Sequence, residues 1–170
     1  MGRAFAVVVI AISAALGTGC GRQSTTANGG SLATVPEAYV PGLGEMMSLQ
    51  QMRHVKLWFA GQAENWELAV YEIDELGEGF EDVLKFHPTH KDSPVAPRDA
   101  IPRMVTEPLN QLRAAVDKKD SRAFGQAYDA LTTACNNCHQ AMNFRFNAVQ
   151  TPTTNPFPNQ VFTAGLSPRR

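Results

Sequence analysis

Residues 121–146, SRAFGQAYDALTTACNNCHQAMNFRF, decide the fold. Phe124, Tyr128, Leu131, Cys135, Cys138, Met142 and Phe146 recur at spacings of three and four, which places them on one stripe of an amphipathic helix. A polar turn at residues 117–120 precedes this stretch, and Ser121 is a suitable N-cap. Working back along the chain, Ile101, Val105, Leu109, Leu112 and Val116 mark a further helix over about residues 100–116. Pro102 fits its first turn, whereas Pro108 lies inside it and predicts a kink or a later start. The segment before it, residues 86–99, carries Pro88, Pro94 and Pro97 and reads as a long loop.

Upstream of that loop, Trp66, Ala69, Val70, Ile73, Leu76, Phe80, Val83 and Leu84 give a second helix, capped near Glu64-Asn65 and locally weakened by Gly77 and Gly79. A first helix starts near Leu43 and shows Met47, Val55, Trp58 and Phe59 before its period ends around Gly61. No segment alternates as a strand does. The expected fold is therefore all-α, an antiparallel four-helix bundle over residues 43–149 with an irregular tail over 150–170. From residue 151 onward the tail has four prolines and no period, and its Phe157, Val161 and Phe162 are expected to lie along the bundle surface.

Composition narrows the function. A chain of 170 residues has room for one ordinary domain. With a formal net charge of −1 it has no basic excess, so nucleic acid is not an expected partner. Its three cysteines, Cys20, Cys135 and Cys138, are too few for a disulfide scaffold.

Two of them belong to a motif. Cys135-Asn-Asn-Cys138-His139 is C-x-x-C-H, the attachment sequence of covalently bound haem c. On a helix the two thiols fall on nearly the same face, so both can form thioethers to the two vinyl groups of one porphyrin. His139 then directs its imidazole to the iron as the proximal ligand. Three other readings stay open. A thioredoxin-like dithiol belongs after a strand, and no strand is expected here. A zinc site needs a fourth ligand, and His54, His87 and His90 do not form a second motif of zinc spacing. A disulfide between Cys135 and Cys138 leaves His139 without a role.

A C-x-x-C-H near the end of the fourth helix of such a bundle resembles the class II cytochromes c, which include cytochromes c′ and their low-spin relatives. The resemblance covers about residues 43–148 and is specific around Cys135, Cys138 and His139. It implies that His139 is the proximal iron ligand, that a Met of the first helix is the sixth ligand if the iron is low-spin, and that the chain forms a homodimer through its first two helices. This sequence departs from the family three and four places after the His, where it has Met142 and Asn143 rather than an aromatic and an Arg; Phe144-Arg145 follow two places later.

The sixth ligand decides between functions. In an up-down bundle the end of helix one lies level with the start of helix four. His139 stands 18 residues beyond Ser121, and 18 residues before Gln62 is Gly44, so Met46 and Met47 lie within a turn of the iron's level. Met47 is the candidate sixth ligand, because it shares the face of Val55 and Trp58. His54 is the alternative, a stronger haem ligand but about 12 Å from the Gln62 end; otherwise it bonds Glu72 or water. His87 and His90 are expected to be solvated in their loop. Trp58, Phe59, Trp66, Tyr71, Phe144 and Phe146 are large enough to wall a macrocycle. The acidic second helix is a solvated face or a docking surface for a basic redox partner protein. A filled sixth site implies a one-electron carrier, and an open one implies a five-coordinate protein that binds nitric oxide or carbon monoxide. No enzymatic activity is expected: Arg53 and His54 are adjacent, and their side chains diverge by about 100°.

The chain's beginning reads as an address. Arg3, an apolar run over residues 4–16 and the small residues 17–19 form an expected export signal over residues 1–19. Its apolar run is too short to span a bilayer core, which needs about 20 residues. Leu16-Gly-Thr-Gly-Cys20 resembles a bacterial lipoprotein processing site, which implies a lipid on Cys20. Residues 20–42 then form a flexible tether. The implied location is the periplasm, with the membrane contacted through the lipid anchor alone. Covalent haem attachment in bacteria requires export, so the two ends of the chain agree.

Overall fold

The computed structural model describes residues 39–165. The expected export signal, Cys20 and all but the end of the expected tether lie outside these residues. The described chain is all-α, with no strand. Helix α1 spans Leu43–Gln62, α2 Trp66–Phe86, α3 Pro97–Met104, α4 Thr106–Asp117 and α5 Ser121–Ala141. None of them is long and apolar enough to cross a membrane.

Local chemistry sets the boundaries. Glu64 takes a left-handed conformation between α1 and α2, and Asn65 caps α2 by accepting from the Leu68 N–H at 3.2 Å. Ser121 donates to Glu64 at 2.7 Å and so ties that turn to the start of α5. The cap of α5 lies one residue earlier than expected: Asp120 accepts from the N–H groups of both Arg122 and Ala123 at 3.0 Å, and Ser121 is the first helical residue. A carboxylate has two acceptor oxygens and a charge that favours the helix N-terminus, so it takes the position from the neighbouring hydroxyl.

The helix expected over residues 100–116 is two helices. Val105 separates α3 from α4, three residues before Pro108, because Pro108 has no N–H for the carbonyl four residues back. Helix α3 begins at Pro97, inside the segment expected to be loop, and Pro102 lies within it. Helix α5 stops at Ala141, and Asn143 is left-handed, so Phe146 leaves the stripe and is 81% exposed.

Helix α1 packs chiefly along α2 and α4 along α5, while α2 reaches α4 and α1 reaches α5. The core between them holds Leu57, Ile73, Leu112, Phe124, Tyr128 and Leu131. The buried face of α1 is Met46, Gln50, His54, Leu57 and Ala60-Gly61, turned from the expected stripe, with Val55, Trp58 and Phe59 at its margin. Two polar residues on the core face hid that period. A Cβ on Gly61 would overlap the Phe124 ring, so this glycine sets the approach of α1 to α5. The tail lies along the helices: Phe162 is buried against Phe59 and Lys56 sits over Phe157, while Val161 is exposed.

Candidate functional site

The last two turns of α5 present Cys135, Cys138 and His139 to one cavity of about 280 Å³. That is near the lower end of cofactor pockets, about 300–1,000 Å³. Helix α1 contributes Met47, Gln50 and His54 to its wall, α2 Leu76, Phe80 and Val83, and α3 Pro97 and Ile101. Phe144, Asn147 and Val149 close it after α5. Of the expected wall aromatics only Phe144 lines it; Trp58 stacks on Phe124 in the core and Trp66 meets that ring edge-on, while Tyr71 and Phe146 are exposed.

Both cysteines are free thiols. Burial, reinforced by Cys138, pushes the Cys135 thiol up to about 12, and burial also raises Cys138. The Cys138 thiol points to Met142 Sδ at 3.7 Å. These are protonated groups, unlike the low-pKa thiolate of a redox-active dithiol.

His139 Nδ1 lies 2.6 Å from the Asn147 carbonyl. A carbonyl only accepts, so Nδ1 carries a proton and Nε2 is the ring nitrogen left to ligate. A ligating His is ordinarily oriented by such a bond on its other nitrogen.

His54 is held differently. Its Nε2 lies 2.9 Å from Thr132 Oγ1 and its Nδ1 3.0 Å from the Tyr128 hydroxyl, with the two rings stacked at 4.5 Å. Tyr128 also donates to the His54 carbonyl at 2.9 Å, and burial lowers the imidazole to about 4. Neither nitrogen is unengaged, and Glu72 is not its partner; buried Glu72 accepts from Arg53 at 3.2 Å. Met47, half-buried, lines the cavity from the same helix. The loop histidines are not simply solvated: His87 contacts the Pro41 carbonyl at 2.6 Å, and His90 lies edge-on to Phe144 and lines the cavity.

No family model, curated protein or solved structure matches the chain. The reading of the site rests on its own residues. Two protonated thiols one helical turn apart, an imidazole held at Nδ1 with Nε2 left to ligate, and a mainly apolar cavity fit a covalently held porphyrin. Among the described residues no three His, Cys, Asp or Glu side chains form a cage for a bare metal ion. A porphyrin brings four nitrogens of its own, so one or two protein ligands suffice.

Sequence reasoning missed Gln50, whose buried Oε1 has no hydrogen-bond partner at the cavity wall. It also missed Thr132, Tyr128, Asn147 and Val149. Gln50 left one signal, a polar side chain at the period of Met46 and Leu57 on a buried face.

Proposed function

We propose that this chain is an exported c-type cytochrome that binds one covalent haem and carries single electrons. Its fold is read as an antiparallel four-helix bundle of the class II kind, with α3 and α4 together as the third member. The observation that carries the reading is His139 held at Nδ1 by the Asn147 carbonyl, beside two free thiols in one cavity. Cys135 and Cys138 would hold the haem by thioethers, and His139 Nε2 would ligate its iron. When bound, the haem supplies one-electron exchange between ferric and ferrous iron.

The chain's own residues do the rest. Met47 faces the cavity from α1 and is the sixth ligand of this reading; His54 would have to give up a hydrogen bond to Thr132 or Tyr128 to serve. Leu76, Phe80, Val83 and Ile101 exclude water and lower the local dielectric. Exposed Glu78, Glu81 and Asp82 lie on the same turns of α2 as Phe80 and Val83 and offer a basic redox partner a docking face beside the cavity. An export signal over residues 1–19 and a lipid on Cys20 place the protein in the periplasm at the membrane, and a homodimer follows from the family resemblance. The unpaired Gln50 Oε1 at the cavity wall favours the second reading, a five-coordinate haem with room for a small ligand.

Absorption spectra of the exported protein, ferric and ferrous, with and without carbon monoxide, test both. An alkaline pyridine spectrum counts the covalent haem. Sharp ferrous bands indifferent to carbon monoxide are the expected result. A broad high-spin spectrum that shifts with the gas replaces the carrier with the gas-binding reading, and absence of covalent haem overturns both.

A further inference from the structure

The chain after α5 turns back along that helix, and three side chains of α5 hold it at alternate residues. His139 Nδ1 meets the carbonyl of Asn147 at 2.6 Å. Asn136 Nδ2 donates to the Val149 carbonyl at 2.9 Å, and the Val149 N–H donates to Asn136 Oδ1 at 2.9 Å. Thr151 Oγ1 donates to Asp129 at 3.0 Å. Residues 147, 149 and 151 thus face α5 in the two-residue period of an extended chain. Beyond them Phe162 is buried on Phe59.

Asn136 is one of the two variable positions of the motif, and thioether attachment gives it no task. Its amide here satisfies both backbone groups of one residue, as a neighbouring strand would. Two such bonds fix Val149 against α5 more tightly than either alone. Val149 is two residues from the carbonyl on which His139 depends, and both Asn147 and Val149 line the cavity. Without the clamp, that half-buried ring is free to exchange the carbonyl for water.

We infer that Asn136 is a positioning residue: by clamping Val149 it holds the Asn147 carbonyl on His139 Nδ1, fixing the ring so that Nε2 faces the cavity. The inference rests on the haem reading above for its purpose, since an oriented imidazole with a strong Nδ1 bond is a stronger electron donor to a metal. The end of the segment expected to belong to the bundle, residues 147–149, is on this view part of the site, and the tail that follows is held beside it through Thr151.

The test uses the full chain, ¹⁵N-labelled at histidine, as wild type, Asn136→Ala and Val149→Pro. The two variants break the same clamp from opposite sides, Asn136→Ala removing both bonds and Val149→Pro the one donated by the Val149 N–H, so a folding failure in one leaves the other. In the haem-loaded ferrous protein the His139 Nδ1 proton is expected to exchange with solvent at least about tenfold faster in both variants. The reduction potential is expected to rise in both, because a weaker Nδ1 bond makes the imidazole a poorer donor to ferric iron. Unchanged exchange and potential in folded, haem-loaded variants overturn the inference, as does a wild-type His139 that is not protonated at Nδ1. Should the wild type carry no covalent haem, the haem reading fails and the clamp is judged on the haem-free chain. There, an Nδ1-protonated His139 in the wild type and a mixed tautomer in Asn136→Ala support it, and equal tautomer ratios overturn it.

Discussion

His54 couples folding to pH through its burial. The unfolded chain binds a proton at this residue below about 6.5, but the folded chain resists protonation until about 4, because burial disfavours the cation. Between those values the unfolded state binds more protons, so stability falls as pH falls through the window and is fully present above it. The separation corresponds to about 3 kcal/mol. Denaturation at a series of pH values is expected to show this loss in wild type and not in His54→Gln, with Thr132 and Tyr128 retained in both; equal slopes would remove His54 as the cause. Ligation is tested at the same scale. Met47→Ala in the haem-loaded protein is expected to open the sixth position and let carbon monoxide shift the ferrous spectrum, while His54→Ala leaves that spectrum unchanged. The reverse pattern would make His54 the ligand. Cys135, Cys138 and His139 were readable in the sequence as candidates from their spacing, and the structure brings all three to one cavity. Met47 was placed at the level of these residues by counting along the helix, and it lines the same cavity. Asn147 was not legible, since it acts through a backbone carbonyl that any residue carries, and only the return of the chain along α5 brings that carbonyl to His139.

Helices are legible where an apolar period is clean and obscure where a special requirement interrupts it. Helix α2 was located nearly to the residue and α5 at its start, although the α5 stripe was carried past Ala141 to Phe146, whereas α1 buries Gln50 and His54, so its inward face was misjudged. The prolines near α3 and α4 announced a break, but its place at Val105 follows from which carbonyl Pro108 leaves without a donor. Glycines inside helices give a contrast that sequence alone cannot rank. Gly61 and Gly125 both sit in helices, yet a Cβ on Gly61 would strike the Phe124 ring and one on Gly125 would meet nothing within 4 Å. Gly125→Ala is expected to stabilise the fold by up to about 1 kcal/mol through helix propensity. Gly61→Ala is expected to destabilise it by about 1–3 kcal/mol despite the same propensity gain, because a fully buried ring must move. Urea denaturation of the two variants checks the opposite signs, and a stable Gly61→Ala protein would mean that the α1–α5 contact is looser than described.

The molecule as a whole is built around a space that its own side chains leave open. Every described helix except α4 contributes to the wall of the 280 Å³ cavity, as does the chain after α5. The cavity's lining is mainly apolar, so covering it recovers transfer free energy in proportion to the apolar area it presents. Collapse of the walls recovers part of this, but only by giving up the packing that Phe80, Ile101 and Leu131 have around the space. On the haem reading proposed above, covalent attachment would act as a folding ligand that cannot dissociate, and the chain is then expected to depend on it. Cys135→Ala with Cys138→Ala removes both attachment points without touching the Phe124–Tyr128 core on the earlier turns of α5. The doubly substituted, haem-free protein is expected to keep most of its far-ultraviolet helical signal, to melt at a lower temperature and less cooperatively than wild type, and to bind a hydrophobic dye that the loaded protein excludes. Helix content survives because the α1–α2 and α4–α5 pairs have their own apolar contacts; cooperativity does not, because the cavity is where the remaining elements meet. A haem-free variant that melts as sharply and as high as wild type would mean that the cavity is not a space awaiting a large apolar group.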